Sequence, residues 1–234
     1  MRLLHLFSFL LLAISAPAQR DTFAAYWHDR FLVDVGFDVA VPTGLFADNQ
    51  NTLGVGGHLD VYANLGNRPI YLGLGYHHVQ YSTESERFDE LIDGELIPFS
   101  IRTNNVAHAA QLSVRVQPPI TLPFFPYAEG LFRAQRFYSR TVIRDEDLDE
   151  QTDSNLETAD GSFAYGAAAG AFVPLGNDEV ALFLRVSYLR GTGTDYLVRR
   201  DEVINPVDPI DYFESVTSPT DRWLFSVGIT GRIF

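Results

Sequence analysis

Phe31-Leu32-Val33-Asp34-Val35-Gly36-Phe37-Asp38-Val39-Ala40-Val41 carries large apolar side chains at every odd position. Asp34, Gly36, Asp38 and Ala40 lie between them, with Leu32 the one large exception. A β-strand sends successive side chains to opposite faces, so this stretch predicts a strand with one apolar face and one small or charged face. The same period returns at Leu53–Ala63, at Ile70–His77, at Val106–Val116 and at Ala128–Ala134. It returns again at Phe163–Val173, Val180–Tyr188 and Trp223–Ile233, which makes eight strands, and no segment reads as an amphipathic helix.

The connections predict the order of these strands. Asn64–Pro69, Pro118–Pro126 and Pro174–Asp178 are short and rich in turn-forming residues. They alternate with longer segments near 42–52, 80–104, 141–161 and 190–221. Short turns at one end and long loops at the other describe an antiparallel up-and-down meander, the asymmetry of outer-membrane barrels. An even strand count puts both termini at the short-turn end. Six acids fall within 82–104 and eight within 141–160, which loads one rim with negative charge.

The chain has 234 residues, enough for a single all-β barrel domain. Thirty acidic against 17 basic residues give a net charge of −13 and a pI near 4.7. That balance speaks against nucleic acid as a partner, since phosphate binding relies on clustered basic residues. With no cysteine, thiolate nucleophiles and Cys-type zinc sites are excluded. At the N-terminus, Met1-Arg2 precedes the apolar run Leu3–Ile14, and Ala16-Pro17-Ala18 follows. This is the pattern of a secretory signal peptide over 1–18, too short to span a bilayer. The expected division is then a short periplasmic segment at 19–30 and a barrel domain at 31–234.

What occupies the second face separates a membrane barrel from a soluble one. A soluble lipocalin-like ligand binder turns its apolar face inward. Here the second face carries Asp34, Asp38, His58, Asp60, Arg115, Glu129, Arg133 and Arg185, all within strands. Mixed signs at mid-strand suit a narrow lumen in which acids and arginines pair, because buried charge is tolerable only when paired. Phe31, Phe125, Tyr127, Tyr138, Tyr188, Trp223 and Phe225 stand near strand ends, where aromatic girdles form. Arg136 and Arg190 lie on the apolar face at its loop end, within reach of lipid phosphates.

With these features the chain resembles the small outer-membrane β-barrels of the OmpA/OmpX type. The resemblance implies eight antiparallel strands, an outer-membrane location and a C-terminal aromatic residue, here Phe234, read by the barrel-assembly machinery during insertion. In this chain Gly228, Thr230 and Arg232 share the register of Phe234, whereas Phe225, Val227, Ile229 and Ile233 form the apolar one. Val41-Pro42-Thr43-Gly44-Leu45-Phe46 also looks like barrels from Bacteroidetes-type bacteria.

Chemical constellations are few. His58 shares a face with Asp60, which could orient an imidazole, but no serine can be placed beside it. His77 and His78 are adjacent and point to opposite faces, which reads as rim structure. Asp145, Asp147, Asp149 and Asp153 imitate a calcium loop, yet Glu150 stands where glycine is required and Leu156 where a bidentate Glu is required. The sequence therefore predicts no catalytic residues, no cofactor and no metal site. Phe137–Ile143 and the Asp93-Gly94 turn suggest strands continued beyond the membrane. The expected protein is a monomeric outer-membrane barrel with a structural or surface-interaction role. Its expected partners are membrane lipid and, at the acidic loops, extracellular protein or divalent cations. A narrow solute channel is the first alternative, and a lipid-modifying barrel enzyme the next.

Overall fold

Each barrel strand of the computed structural model hydrogen-bonds to two neighbours, so the sheet closes on itself. The structure describes residues 31–50, 52–66, 69–92, 95–118, 124–145, 150–175, 179–199 and 213–233. The strands are β1 (Phe31–Pro42), β2 (Gly54–Asn64), β3 (Ile70–Ile92), β4 (Glu95–Val116) and β5 (Phe125–Asp145). They continue with β6 (Glu150–Pro174), β7 (Val180–Gly191), β8 (Gly193–Arg199), β9 (Phe213–Pro219) and β10 (Arg222–Ile233). Eight form a closed antiparallel barrel in the order β1-β10-β7-β6-β5-β4-β3-β2, while β8 and β9 pair separately. Closure is completed by β1 on β10, from Phe31 opposite Ile233 to Pro42 opposite Arg222. With no open edge, the backbone of the wall satisfies its own hydrogen bonds, as a bilayer interior demands. The expected signal peptide, residues 19–30 and Phe234 lie outside the described residues.

The apolar face points outward. Val35, Phe37, Leu59, Leu74, Leu112, Phe132, Phe163, Val186, Phe225 and Ile229 are exposed, so every barrel strand contributes to the belt. From Phe31 to Val41, ten steps of about 3.3 Å on strands tilted by about 40° give a belt roughly 25 Å tall. That is the height of the hydrocarbon region crossed by outer-membrane barrels. Phe31, Tyr188, Trp223 and Phe225 are outward as expected, and the rings of Tyr188 and Trp223 meet at 5.0 Å. Phe125 and Tyr127 are a correction: both are buried inside, packed with Phe172, Ala181 and Phe183. They share the parity of Glu129 and Arg133, and that parity overrides their nearness to a strand end.

Two of the long connections are largely strand, in line with the continuation suggested at Phe137–Ile143. β3 pairs with β4 from Ile70 opposite Val116 up to Ile92 opposite Glu95, and β5 pairs with β6 up to Asp145 opposite Glu150. The pairings of β3 with β2 and of β6 with β7 stop at Gln80 and Ala164. Strands β3 to β6 thus continue together beyond the barrel wall. A second correction lies within 190–221, where Gly193–Arg199 and Phe213–Pro219 are the paired strands β8 and β9. β8 lies against the inner side of the wall: Asn105 donates to the Leu197 carbonyl at 2.7 Å, and the Leu197 N–H donates to Ser139 Oγ at 3.1 Å. A short helix α1 (Leu45–Asn49) follows β1 after Gly44, whose φ of 58° turns the chain toward the mouth. Phe46 of α1, Tyr81, Phe137 and Tyr196 then build an aromatic cluster there, with Phe46 5.2 Å from Tyr81 and 5.5 Å from Tyr196.

One acid anchors this pair of strands. Asp160 accepts hydrogen bonds from the Asp195 N–H at 3.0 Å, from Thr194 Oγ1 at 3.1 Å and from the Gly161 N–H at 2.8 Å. The Asp195 N–H, then Thr194 and Gly161, hold the Asp160 carboxyl below its ordinary range. A lowered carboxyl stabilises the anchor at neutral pH, and the contribution is lost as pH falls from about 4 through the lowered value. Asp160→Ala is expected to speed hydrogen exchange in Thr194–Leu197 at pH 7, and the difference from the parent should vanish at acid pH.

Glycines on the inner face make room for large neighbours. A Cβ at Gly75 would overlap the Asp60 carboxylate, and one at Gly36 would meet the His58 and Phe183 rings. A Cβ at the outward Gly130 would meet nothing within 4 Å. Gly75→Val is expected to destabilise the barrel by about 1–3 kcal/mol in urea unfolding from liposomes. Gly130→Val, facing lipid, should leave the midpoint within experimental error.

Candidate functional site

The inner face of the barrel carries a layer of charge at mid-height, built by register. Arg115 on β4 sits opposite Glu129 on β5, Asp34 on β1 opposite Thr230 on β10, and Asp38 opposite Ser226. His58 on β2 faces His77 on β3, and Gln111 on β4 faces Arg133 on β5. Each pair lies on the polar parity of its two strands, so alternation directs these side chains into one narrow space.

The layer has two linked halves. In the half nearer the turns, Arg115 Nη2 donates to Asp34 Oδ2 at 2.6 Å while its Nε bonds Glu129 Oε1. The Arg115 guanidinium lies between aromatic rings, 3.6 Å from the Tyr62 centroid and 4.3 Å from that of Tyr127. Thr230 Oγ1 donates to the second oxygen of Asp34 at 2.7 Å. In the half nearer the loops, Arg185 Nη1 meets Asp60 Oδ2 at 2.8 Å and its Nη2 donates to His58 Nε2 at 3.0 Å. Arg185 Nη1 also stands 3.6 Å from Glu129, which joins the halves. His58 Nδ1 donates to Asp38 Oδ1 at 2.9 Å, and Ser226 donates to the same oxygen at 2.5 Å. Arg133 donates to Gln111 Oε1 at 2.7 Å and lies 3.2 Å from His77. One level higher, Arg222 donates to Gln135 at 2.6 Å. Asp34, Asp38, Asp60, Arg115, Glu129, Arg133, Arg185 and Arg222 are all buried, four carboxylates among four guanidiniums.

His77 is the residue that sequence reasoning missed. Adjacency to His78 suggests the rim, but β3 runs far past this point, so His77 is mid-strand and buried between Asp38 at 3.2 Å and Asp60 at 3.0 Å. Its parity with Gly73 and Gly75 is the signal that could have found it. Its ring stacks on His58 with centroids 4.8 Å apart. His78 faces outward beside His108 and Tyr76, whose hydroxyl bonds His108 Nδ1 at 2.5 Å.

Asp38, His58 and His77 bring one ligand atom each within 4.8 Å of one another, two imidazoles and a carboxylate in composition. Arg185 donates to His58 Nε2, which places the ring proton on Nδ1, the nitrogen facing Asp38. That nitrogen has no lone pair left for a cation. Arg133 beside His77 adds a second positive charge, so the arrangement suits charge pairing. The serine in the network, Ser226, donates to Asp38. The acidic side chains of 84–95 and 145–157, and with them the cation question at the loops, lie outside the described residues.

Breaking the layer on one side should be costly. Arg115→Met removes the guanidinium shared by Asp34 and Glu129, and the expected loss is about 3–5 kcal/mol in liposome unfolding. Adding Asp34→Asn and Glu129→Gln to the same chain should recover part of that loss, because no uncompensated charge then remains.

Comparison with solved structures returns outer-membrane and surface proteins of similar span. Neisserial surface protein A matches with a TM-score of 0.49 at 10% identity, covering 87% of this chain and 97% of its own. A major outer membrane protein from Thermus thermophilus matches at 0.44 and 17% identity, with 87% and 99% covered. The outer membrane protein OprG from Pseudomonas aeruginosa matches at 0.43 and 12%, with 87% and 95% covered. No family model matches the sequence, and no curated protein matches it. The resemblance of Val41–Phe46 to Bacteroidetes-type barrels gains no support from these matches. The strands themselves show the architecture: a closed, eight-stranded antiparallel up-and-down barrel, apolar outside and polar inside, of the small outer-membrane type.

Proposed function

We propose that the chain is an integral outer-membrane barrel with a closed lumen, whose work is done by the strands it raises above the membrane. The observation that supports this reading is the contrast between an interior lined by paired charge and aromatic rings and an extended exterior. Inside, the paired charge layer is followed toward the loops by the aromatic cluster under β8 and α1, and toward the turns by Phe125, Tyr127, Phe172 and Phe183. Eight strands leave an interior only about wide enough for such side chains. Outside, β3 continues for roughly 40 Å of strand past Gln80, in one sheet with β4, β5 and β6.

Among the described residues, β2 does not continue along the β3 edge of that sheet above Gln80, while β8 lies against β6 from Phe163 to Asp160. Unpaired backbone at an edge can accept an extended segment of another protein, which gives the surface role a physical basis. The role is structural or interactive, in envelope integrity or adhesion, and non-catalytic. Planar bilayers holding the purified barrel should show no regular conductance steps, and unboiled protein from an outer-membrane fraction should run faster than boiled protein on gels. Regular steps would move the reading to the narrow channel. Recovery in a soluble fraction without a heat shift would overturn the membrane reading itself.

A further inference from the structure

On the outward wall, strands β4, β5 and β6 leave a hollow of about 490 Å³ near the loop end of the belt. Its floor is Ala110, Ala134 and Gly161, three small residues on adjacent strands, and Phe163 closes one side. A Cβ at Gly161 would meet nothing within 4 Å, so a larger side chain there would stand in the hollow without a clash. Nearer the turns, the same three strands hold a second hollow of about 350 Å³ at Gly130, beside Phe132 and Tyr165. Both lie on the apolar face, one below the other.

The upper hollow has a cationic end. Arg136 and His108 line it and are cross-strand neighbours, with Gly161 opposite Arg136 on the other side. The Arg136 guanidinium lies 5.2 Å from the Tyr138 ring, which props it at the loop-side edge. The Tyr76 hydroxyl and His108 Nδ1 share a hydrogen bond, which fixes the imidazole beside Arg136. Among the described residues no carboxylate forms an ion pair with Arg136. In a chain of net charge −13, the Arg136 guanidinium with His108 beside it stands at the loop-side end of an apolar groove.

Resting on the membrane reading above, we propose that this face binds one anionic phospholipid: its phosphate on Arg136 and His108, and an acyl chain in the groove floored by Ala110, Ala134 and Gly161. The order of the site, Arg136 and His108 at the loop-side end and small residues below, matches the order of groups along such a lipid. Zwitterionic lipids with the same chains gain the groove without the full charge pairing.

The test is native mass spectrometry of the full, detergent-solubilised chain titrated with dioleoylphosphatidylglycerol, dioleoylphosphatidylcholine or glycerol 3-phosphate. The expected result is one retained phosphatidylglycerol, about fivefold tighter than phosphatidylcholine, and no retained glycerol 3-phosphate. Arg136→Gln should bring phosphatidylglycerol down to the phosphatidylcholine level, while Gly161→Leu should weaken both lipids by filling the floor. Equal retention of the two lipids, or variants that bind as the parent does, would overturn the proposal and leave only an unspecific lipid shell. Retention of glycerol 3-phosphate as tight as the whole lipid would also overturn it, since the groove would then contribute nothing. Each variant is first checked for the heat-shifted mobility of a folded barrel, with Ala134→Leu replacing Gly161→Leu if the latter lacks it. Failure of the membrane reading is distinguishable, because the parent chain would then show no heat shift at all.

Discussion

A closed sheet that gives its apolar side chains to lipid must find its core in polar ones. Eight strands enclose a space that side chains fill, and whatever fills it lies away from bulk water. In this chain that space holds four carboxylates and four guanidiniums, so their pairing decides whether the wall can close at all. Two of the four arginines meet that condition in ion pairs, while Arg133 and Arg222 donate to Gln111 and Gln135. Arg115 and Arg185 each bridge acids from different strands, and Glu129 lies between the two guanidiniums. Pairing across strands also ties distant parts of the wall together, since Asp34 and Arg115 come from β1 and β4, and Asp60 and Arg185 from β2 and β7.

The remainder of the interior follows from that layer. Aromatic rings flank it, and their faces are suited to cations: Tyr62 and Tyr127 sandwich Arg115. The inner glycines Gly36 and Gly75 face His58 and Asp60 across the sheet, so the bulky polar groups gain their space from residues with none. Toward the loops the charge gives way to Phe46, Tyr81, Phe137 and Tyr196, and there the chain brings in segments from outside the barrel wall to finish the packing. Three parts of the chain thus contribute side chains to the interior: the barrel strands, the helix after β1 and strands β8 and β9.

How much of this is legible in the sequence varies with range. Alternation is local, and it assigns a face to nearly every strand residue, including the acids and arginines of the inner layer. Parity also holds the answer for His77, Phe125 and Tyr127, where nearness to a strand end or to a second histidine points the other way and misleads. The β8–β9 pair leaves a weaker trace. Tyr196-Leu197-Val198 is a continuous apolar run without alternation, because these residues pack against the barrel mouth and against β9 at once.

The sequence by itself determined the strand period, the outward apolar face, the inward charges and the unequal lengths of the two sets of connections, because each depends on residues a few positions apart. Only the tertiary structure decided which acid meets which arginine, where β8 and β9 lie and which outward small residues combine into a groove. Those choices depend on strand register and on the closure of β1 against β10. A change of two positions in register preserves every face and moves every partner.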